Sequence, residues 1–414
     1  MTGREDQLAY YALKEKLEPK IGASLPHKVG LRMVLYLYVA VFLTRIGFGS
    51  ITILFPLYLQ RTPSYIIGFI LALYPLSEAS SALPIGRLAD RFSRKRLHII
   101  GMIMITMLTA AIGFTTNVLY VSILHAIMGV SAAAAAVTSL TLLGDATKLT
   151  NRGKSMGGFD LANLGGYGLG FGVGGLLVNM FGPTELNHAF WVTAAVFLFA
   201  GIMAAKFLVE PVRVWELKQP KTRQRRIGSR IRPVIPVWVA QTIILGMYFL
   251  LPKAFQSANI PLTRETLIFL GVLGGLFALG AIVFGHISDK VGRTRIMVLG
   301  ALGELGFLVL FGWSLTRPSG STPGFVQYEF FLWPMFFLAS SIAPAILAYV
   351  ADISGKAKRG SANAIYSIVL SIGLAIGNIV GGFVADLGIQ WIFYAGAGIL
   401  FPSILATSTM LRRR

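Results

Sequence analysis

Twelve long apolar runs, separated by short polar stretches, constrain the fold of this sequence more than any other feature. A membrane-spanning α-helix needs about 20 predominantly apolar residues, and each run is close to that length or longer. Composition agrees, because 55% of the residues are hydrophobic and 13% are charged, whereas soluble domains have about 25% charged residues. We therefore predict an all-α membrane protein with twelve transmembrane helices, over residues 33–59, 65–89, 97–115, 118–143, 155–179, 189–209, 233–257, 265–288, 296–315, 326–350, 360–384 and 390–410.

Several groups of residues occur twice, about half the chain length apart. Asp90 lies in a charged turn between two apolar runs, four residues after a Gly, and the same arrangement returns around Asp289. A glycine ladder made of Gly166, Gly170, Gly174 and Gly175 recurs as Gly373, Gly377, Gly381 and Gly382. These repeats predict a duplicated six-helix unit. The expected organisation is an N-terminal segment over 1–32, six-helix bundles over 33–209 and 233–411, a polar linker over 210–232 and a basic tail over 412–414.

The Lys and Arg residues, which give the chain a net charge of +20, cluster in alternate loops. Basic residues are retained on the cytoplasmic side of a membrane, so we expect a multi-pass plasma-membrane protein with both termini in the cytoplasm. Anionic lipid headgroups are the expected partner of this basic surface. Nucleic acid is not, because no basic stretch is interleaved with stacking aromatic side chains. The stretch from Asp6 to Leu17 forms either a short amphipathic helix on the membrane or a solvated tail.

The charged turn closely resembles the loop signature of the major facilitator superfamily, which reads Gly, three residues, Asp, Arg or Lys, one residue, Gly, and Arg or Lys. The second copy, from Gly285 to Arg293, fits fully, whereas the first has Ser93 at the inner Gly position. The resemblance implies two pseudo-symmetric six-helix bundles, transport of a small molecule by alternating access, and a monomer. Transporters built from such repeats place their substrate site where the halves meet, near the bilayer midplane.

The same resemblance implies a charge relay at each charged turn, which would close the cytoplasmic side in one transport state and break in the other. The relay would join Asp90, Arg94 and Asp145 in the first half, and Asp289, Arg293 and Asp352 in the second. Static anchoring of the loops is the alternative. The complete set of gating candidates is Gly86, Asp90, Arg91, Arg94, Asp145, Gly285, Asp289, Lys290, Gly292, Arg293 and Asp352.

The glycine ladders place a smooth strip on one helix face, which lets two helices approach closely. Helix packing is therefore the primary interpretation of the eight ladder glycines. The stretch from Gly170 to Gly175 also resembles the fifth-helix motif of drug/proton antiporters, with Phe171 in place of the motif's Pro. Among the members of the superfamily, the antiporter-like ones are the closest in motifs.

Charged residues inside spans are costly and are functional candidates by default. An ion pair between Arg45 in the first span and Glu78 in the second would relieve the desolvation cost of both. Glu78 is a candidate for proton coupling and, equally, for one half of a permanent structural pair. His125 takes the place of Arg in a stretch that resembles the fourth-helix motif of proton antiporters; it is a proton candidate or a structural histidine. Asp160, just inside the fifth span, completes the proton-coupling candidates.

Other polar residues inside spans are candidates for the substrate cavity: Asn163, Gln241, Tyr248, Asn363, Tyr366 and Asn378. Glu304 lies in the ninth span. Every third helix is peripheral in the superfamily, so the resemblance implies a structural or interfacial role for this residue. Lys253, near the outer end of the seventh span, can extend its amine to the membrane surface.

The sequence contains no phosphate-binding P-loop and no HExxH helix, so we expect neither an enzyme nor a protein with a cofactor or metal. The leading hypothesis is a secondary active transporter that exports an amphipathic or hydrophobic small molecule in exchange for protons. One alternative is proton-coupled uptake or uniport of a small polar solute, such as a sugar or an organic anion, with Arg45 as a ligand. Another is a non-transporting membrane receptor or assembly protein on the same scaffold.

Overall fold

The computed structural model describes residues 27–146, 152–182, 184–210, 231–260, 264–317, 323–354 and 359–412. All regular structure in these ranges is helical. The α-helices are α1 (His27–Tyr58), α2 (Ser64–Arg91), α3 (Arg94–Ile112), α4 (Val118–Ala146), α5 (Arg152–Phe181), α6 (Leu186–Phe207), α7 (Ile235–Met247), α8 (Leu251–Ser257), α9 (Arg264–Val291), α10 (Arg293–Ser314), α11 (Gly324–Gln327), α12 (Glu329–Ala339), α13 (Ile342–Ser354), α14 (Arg359–Ala385) and α15 (Ile389–Arg412).

Twelve helical segments are long and apolar enough to cross a membrane, which confirms the predicted fold class. Ten of them are single helices, and two are interrupted. The seventh span consists of α7 and α8, joined through a 3-10 turn over Tyr248–Leu250, and Pro252 lies in the first turn of α8. The tenth consists of α12 and α13, which are separated at Ser340 and Ser341. Both breaks occur inside runs that are predominantly apolar, and hydropathy alone does not reveal them.

Most glycines of the two ladders lie where helices approach closely. A Cβ atom added to Gly170 on α5 would lie 2.8 Å from the Cα atom of Gly49 on α1. In the other half, a Cβ atom on Gly377 of α14 would lie 2.9 Å from the Cα atom of Gly246 on α7. Gly175 differs, because no atom lies within 4 Å of the position that its Cβ would take. Close backbone approach therefore explains most of the ladder but not its last member in the first half.

The described chain packs into two compact units, Met1–Tyr58 with Ser80–Gln224, and Leu59–Ala79 with Arg225–Arg414. The first half of α2 therefore packs with the second unit, although the sequence repeat assigns it to the first bundle. Small residues permit this packing, since a Cβ atom on Gly382 would lie 3.1 Å from the Cα atom of Gly68. The Tyr65 and Phe383 rings also stack, with centroids 5.9 Å apart. The division into six-helix bundles over 33–209 and 233–411, which is based on the sequence repeat, remains a prediction.

Several predicted segments lie outside the described residues. They are the N-terminal stretch from Asp6 to Leu17, most of the 210–232 linker, and the last two residues of the basic tail. The side chains of Asp90, Asp145, Asp160, Asn363 and Tyr366 also lie outside the described part.

Candidate functional site

Arg293 joins three helices at the second charged turn. Its guanidinium pairs with Asp289 on the last turn of α9, and its Nε donates to the Oδ2 atom of Asp352 on α13 at 3.2 Å. Its Nη1 also donates to the Ser288 hydroxyl at 2.6 Å. The Arg293 side chain is 20% exposed, whereas the Asp289 and Asp352 side chains are 58% and 60% exposed. The structure thus brings together the three residues of the second predicted relay, and their opening during transport remains a prediction.

The two charged turns have different backbone geometry. Gly292, just before α10, has a φ of 109°, a left-handed conformation that glycine adopts at no steric cost. Ser93, at the matching position before α3, has φ −60° and ψ 120°, and its hydroxyl accepts a hydrogen bond from the Arg96 N–H at 3.2 Å. Ser93 therefore acts as a helix N-cap, and the departure from the family's loop pattern is a change of turn type.

Four further gating candidates lie at the charged turns: Gly86, Arg91, Gly285 and Lys290. Arg91 and Lys290 are exposed. Neither Gly86 nor Gly285 has an atom within 4 Å of the position that its Cβ would take. Within the described residues, close packing therefore does not account for a glycine at either of these two positions.

Glu210 caps the helix that follows the first charged turn, a contact that the sequence did not reveal. Its carboxylate accepts hydrogen bonds from the backbone N–H groups of Arg94 at 3.0 Å and Lys95 at 2.8 Å, and from the Ser93 hydroxyl at 2.6 Å. The first N–H groups of a helix have no partner within the helix, and a negative charge there is favourable. The start of the linker is thereby tied to the N-terminus of α3.

We expect Glu210→Ala to lower the free energy of unfolding by about 0.5–2 kcal/mol, the range for loss of a helix cap. Thermal unfolding in detergent would measure the change. Glu185→Ala is the matched control, since Glu185 also precedes a helix but makes no capping bond there and its side chain is 64% exposed. Equal melting temperatures for the two variants would contradict the capping role.

Arg45, midway along α1, borders a small cavity inside the first unit. Its guanidinium carbon lies 5.3 Å from the centre of the Tyr167 ring and 5.7 Å from that of Phe48, distances at which a cation is attracted to an aromatic face. The cavity has a volume of about 20 Å³, enough for one water molecule. His98 on α3 also borders it and is 3% exposed, and its Nδ1 lies 3.1 Å from the Thr138 hydroxyl. The His98 Nε2 has no hydrogen-bond partner among the described residues, and a water in the cavity would provide one.

The other proton-coupling candidates are distributed over both units. Glu78 is half-buried on α2, at the end of the segment that packs with the second unit. His125 on α4 is 4% exposed, and its ring lies 4.5 Å from that of Phe55. Arg45 and Glu78 belong to different compact units, so their predicted pairing stays a prediction.

Two of the predicted cavity residues lie beside a carboxyl that the sequence did not assign to the site. The Gln241 amide contacts the carboxyl of Glu304, and the Tyr248 hydroxyl lies within electrostatic range of it. Glu304 is 4% exposed, so it points into the second unit although it lies on the third helix of its half. Its charge was visible in the sequence, but the direction in which it points was not.

The two asparagine candidates whose side chains are described, Asn163 and Asn378, have buried amide atoms without a hydrogen-bond partner among the described residues. Asn378 on α14 is fully buried, and neither amide atom has a hydrogen-bond partner within the described part of the chain. The buried Oδ1 of Asn163 on α5 likewise has no partner there. Buried polar groups of this kind need a bound partner such as water, so both positions are suitable for a polar ligand atom.

The Lys253 ammonium donates to the Thr62 carbonyl in the loop between α1 and α2, and the residue is 7% exposed. Its extension to the membrane surface stays a prediction. A neighbouring contact joins Gln256 to Gln60 at 2.8 Å. The Ser64 N–H donates to Asp386 at 3.1 Å. The connection between α1 and α2 is thus fastened to α8 and to the end of α14.

A family profile described as Major Facilitator Superfamily matches residues 37–339 and 335–414, which is nearly the whole chain. The chain belongs to the major facilitator superfamily. The resemblance of the charged turns is thereby confirmed, and the protein is a multi-pass membrane transporter.

Relatives and solved structures agree with this assignment. Multidrug resistance protein 2 of Bacillus subtilis is 24% identical over 371 residues, which are 86% of this chain and 90% of that protein. Quinolone resistance protein NorA of Staphylococcus aureus is 23% identical over 391 residues, 90% of this chain and 95% of its own length. A bacterial homolog of the human lysosomal transporter Spinster shares the fold, with a TM-score of 0.73 at 14% identity over 93% of this chain and 98% of its own.

Proposed function

We propose that this protein exports amphipathic or hydrophobic small molecules in exchange for protons. The observation that carries the proposal is similarity, over 86–90% of the chain, to relatives named for multidrug and quinolone resistance. The antiporter-like glycine motif on α5 supports the same class. Gly166, Gly170 and Gly174 lie against α1, the helix that carries Arg45.

Proton coupling is supported by the ionisable side chains inside the spans. A charge within the bilayer is costly and is retained for function more often than for stability. Glu78 is a carboxyl on a membrane helix, and binding a proton is the simplest way for it to lose its charge. We propose that substrate or helix motion changes the protonation of Glu78 by altering its pairing with Arg45.

The basic loops define the proposed orientation. Lys and Arg are retained on the cytoplasmic side, so the Arg293 network and the Glu210 cap would face the cytoplasm, as would both termini. In this arrangement the anchor between Lys253 and Thr62 lies on the outer side. We propose a monomer in the plasma membrane, with its basic surface against anionic lipid headgroups.

We expect substrate to evoke proton movement in liposomes that contain the purified protein and a pH-sensitive dye. The panel would comprise a lipophilic cationic dye, a quinolone, a sugar and an organic anion. Glu78→Gln keeps the shape of the side chain and removes its titration, and we expect it to reduce the proton movement at least tenfold. Glu185→Gln, at an exposed carboxyl, should behave as the wild type.

Other outcomes would replace the proposal. Transport of the sugar or the anion alone would favour uptake or uniport of a polar solute. Drug movement without protons, equal in wild type and Glu78→Gln, would return Glu78 and Arg45 to a structural role. Absence of flux for the whole panel would favour a receptor or assembly protein.

A further inference from the structure

Glu304 is a carboxyl buried in the middle of a membrane helix. It lies 11 residues after the first residue of α10 and 10 before the last, and it is 4% exposed. Because the residue points into the second unit, its carboxyl is buried among protein side chains. The superfamily's architecture suggested a structural role, but the contacts of the side chain indicate another one.

No cation neutralises this carboxyl within the described residues. Its side-chain neighbours are Gln241 on α7 and Tyr248 on the following 3-10 turn, both of which are uncharged. Along α10 the nearest basic residue is Arg295, nine residues and about 13 Å away along the helix axis. Removing an ionised carboxylate from water without a compensating charge is strongly unfavourable.

Among the described residues, no charged group on the helices packed against α10 forms an ion pair with Glu304. The ionisable groups on these helices are Arg264, Glu265, His286, Asp289 and Lys290 on α9, Glu329 on α12, Tyr349 and Asp352 on α13, and Tyr394 and Arg412 on α15. Asp289 and Asp352 belong to the Arg293 network at the beginning of α10. Tyr394 packs on Gly312, about 12 Å along the axis from Glu304.

The Gln241 amide can form a hydrogen bond with Glu304 whether the carboxyl is ionised or protonated. With its NH2 group turned inward, Nε2 donates to both carboxylate oxygens, at 3.2 Å for Oε1. With its carbonyl turned inward, the amide accepts the O–H of a protonated carboxyl. A rotation of the amide by half a turn thus accommodates the arrival or departure of one proton. An arginine or lysine in place of Gln241 would favour only the ionised form.

We propose that Glu304, together with Gln241 and Tyr248, forms a proton-binding site inside the second half of the transporter. The inference rests on the proposed function in that protons are the coupling ion. It makes Glu304 a second proton-binding carboxyl of the transporter, besides Glu78. Proton occupancy at Glu304 changes the hydrogen bond to α7. The site therefore links protonation to the helix that continues through Tyr248 into α8 and the Lys253 anchor.

Infrared difference spectroscopy of the purified full-length protein, titrated from acid to alkaline pH without substrate, tests this site directly. The wild type should show the C=O band of a protonated carboxyl in an apolar environment, and the band should titrate. Glu304→Gln should remove the band, and Glu185→Gln should retain it. A band that is unchanged in Glu304→Gln, or absent from the wild type, overturns the proposal. Should Glu304→Gln fail to fold, Gln241→Leu serves instead, since losing the amide partner must shift the band frequency; an unshifted band refutes the site.

Transport assays separate this inference from the proposed function. In liposomes, Glu304→Gln should reduce substrate-evoked proton movement at least tenfold and should flatten the dependence of transport on pH. If wild-type protein moves substrate without protons, the proposed function fails, while the infrared band still reports whether Glu304 binds a proton. If coupled transport in Glu304→Gln keeps the wild-type pH profile, Glu304 has no part in coupling and this inference alone fails.

Discussion

Gly170→Ala and Gly377→Ala should each lower the free energy of unfolding by about 1–3 kcal/mol, the cost of overpacking a tight interior. The added methyl group would lie 2.8 Å from the Cα atom of Gly49 in the first case and 2.9 Å from that of Gly246 in the second. The obstacle at each position is the backbone of a neighbouring helix, which cannot rotate away as a side chain can. We expect Gly170→Leu and Gly377→Leu to leave no folded protein to purify.

The control for the first ladder lies on the same helix. Gly175 has no atom within 4 Å of an added Cβ, so Gly175→Ala should leave stability unchanged or raise it by about 0.5–1 kcal/mol, because alanine is the better helix former. Gly398→Ala on α15 is the corresponding control for the second half. Melting temperatures in detergent would rank the four alanine variants. If Gly170→Ala and Gly175→Ala were equally stable, close approach of α1 and α5 would not explain the ladder.

Arg293→Met should reduce transport at least tenfold. The substitution removes the cation that joins Asp289 and Asp352 and leaves two like charges at the same junction. Arg293→Lys should recover only part of the activity, because an ammonium cannot reproduce the directional contacts of a guanidinium. Arg295→Met, at an exposed position two residues further on, should have little effect.

Two measurements decide whether the Arg293 network is a gate or a static anchor. The chain contains no cysteine, so spin labels can be attached at Arg87→Cys and His286→Cys without removing native thiols. For a gate, Arg293→Met should shift the distribution of label distances with little change in melting temperature. For an anchor, it should lower the melting temperature and leave the distances unchanged.

Local features of the chain were predicted well from the sequence. Span positions depend on runs of apolar residues, so the twelve predicted spans agree with the helices to within a few residues at most ends. The exceptional turn at Ser93 was also visible as a departure from the loop pattern. The loop pattern did not predict that Ser93 and Glu210 together cap the N-terminus of α3.

Contacts between distant segments were predicted less well. Glu210 and Arg94 are 116 residues apart, and nothing near Glu210 in the sequence indicates a helix N-terminus as its partner. The sequence around Lys253 likewise gives no sign that the Thr62 carbonyl, 191 residues away in the chain, accepts its hydrogen bond. Glu304 was recognised as a charge inside a span, yet its proximity to Gln241 depends on how α10 is rotated about its own axis.

By itself the sequence determined the number and approximate position of the spans, the family and the residue types at the charged turns. Each follows from hydropathy or spacing along one chain, which do not depend on how the helices pack. Only the tertiary structure decided which polar groups meet: Arg293 with Asp352, Glu210 with α3, and Glu304 with Gln241. An α-helix that is apolar on nearly all sides carries little information about its rotation. The direction of a single buried charge is therefore set by side-chain packing between helices.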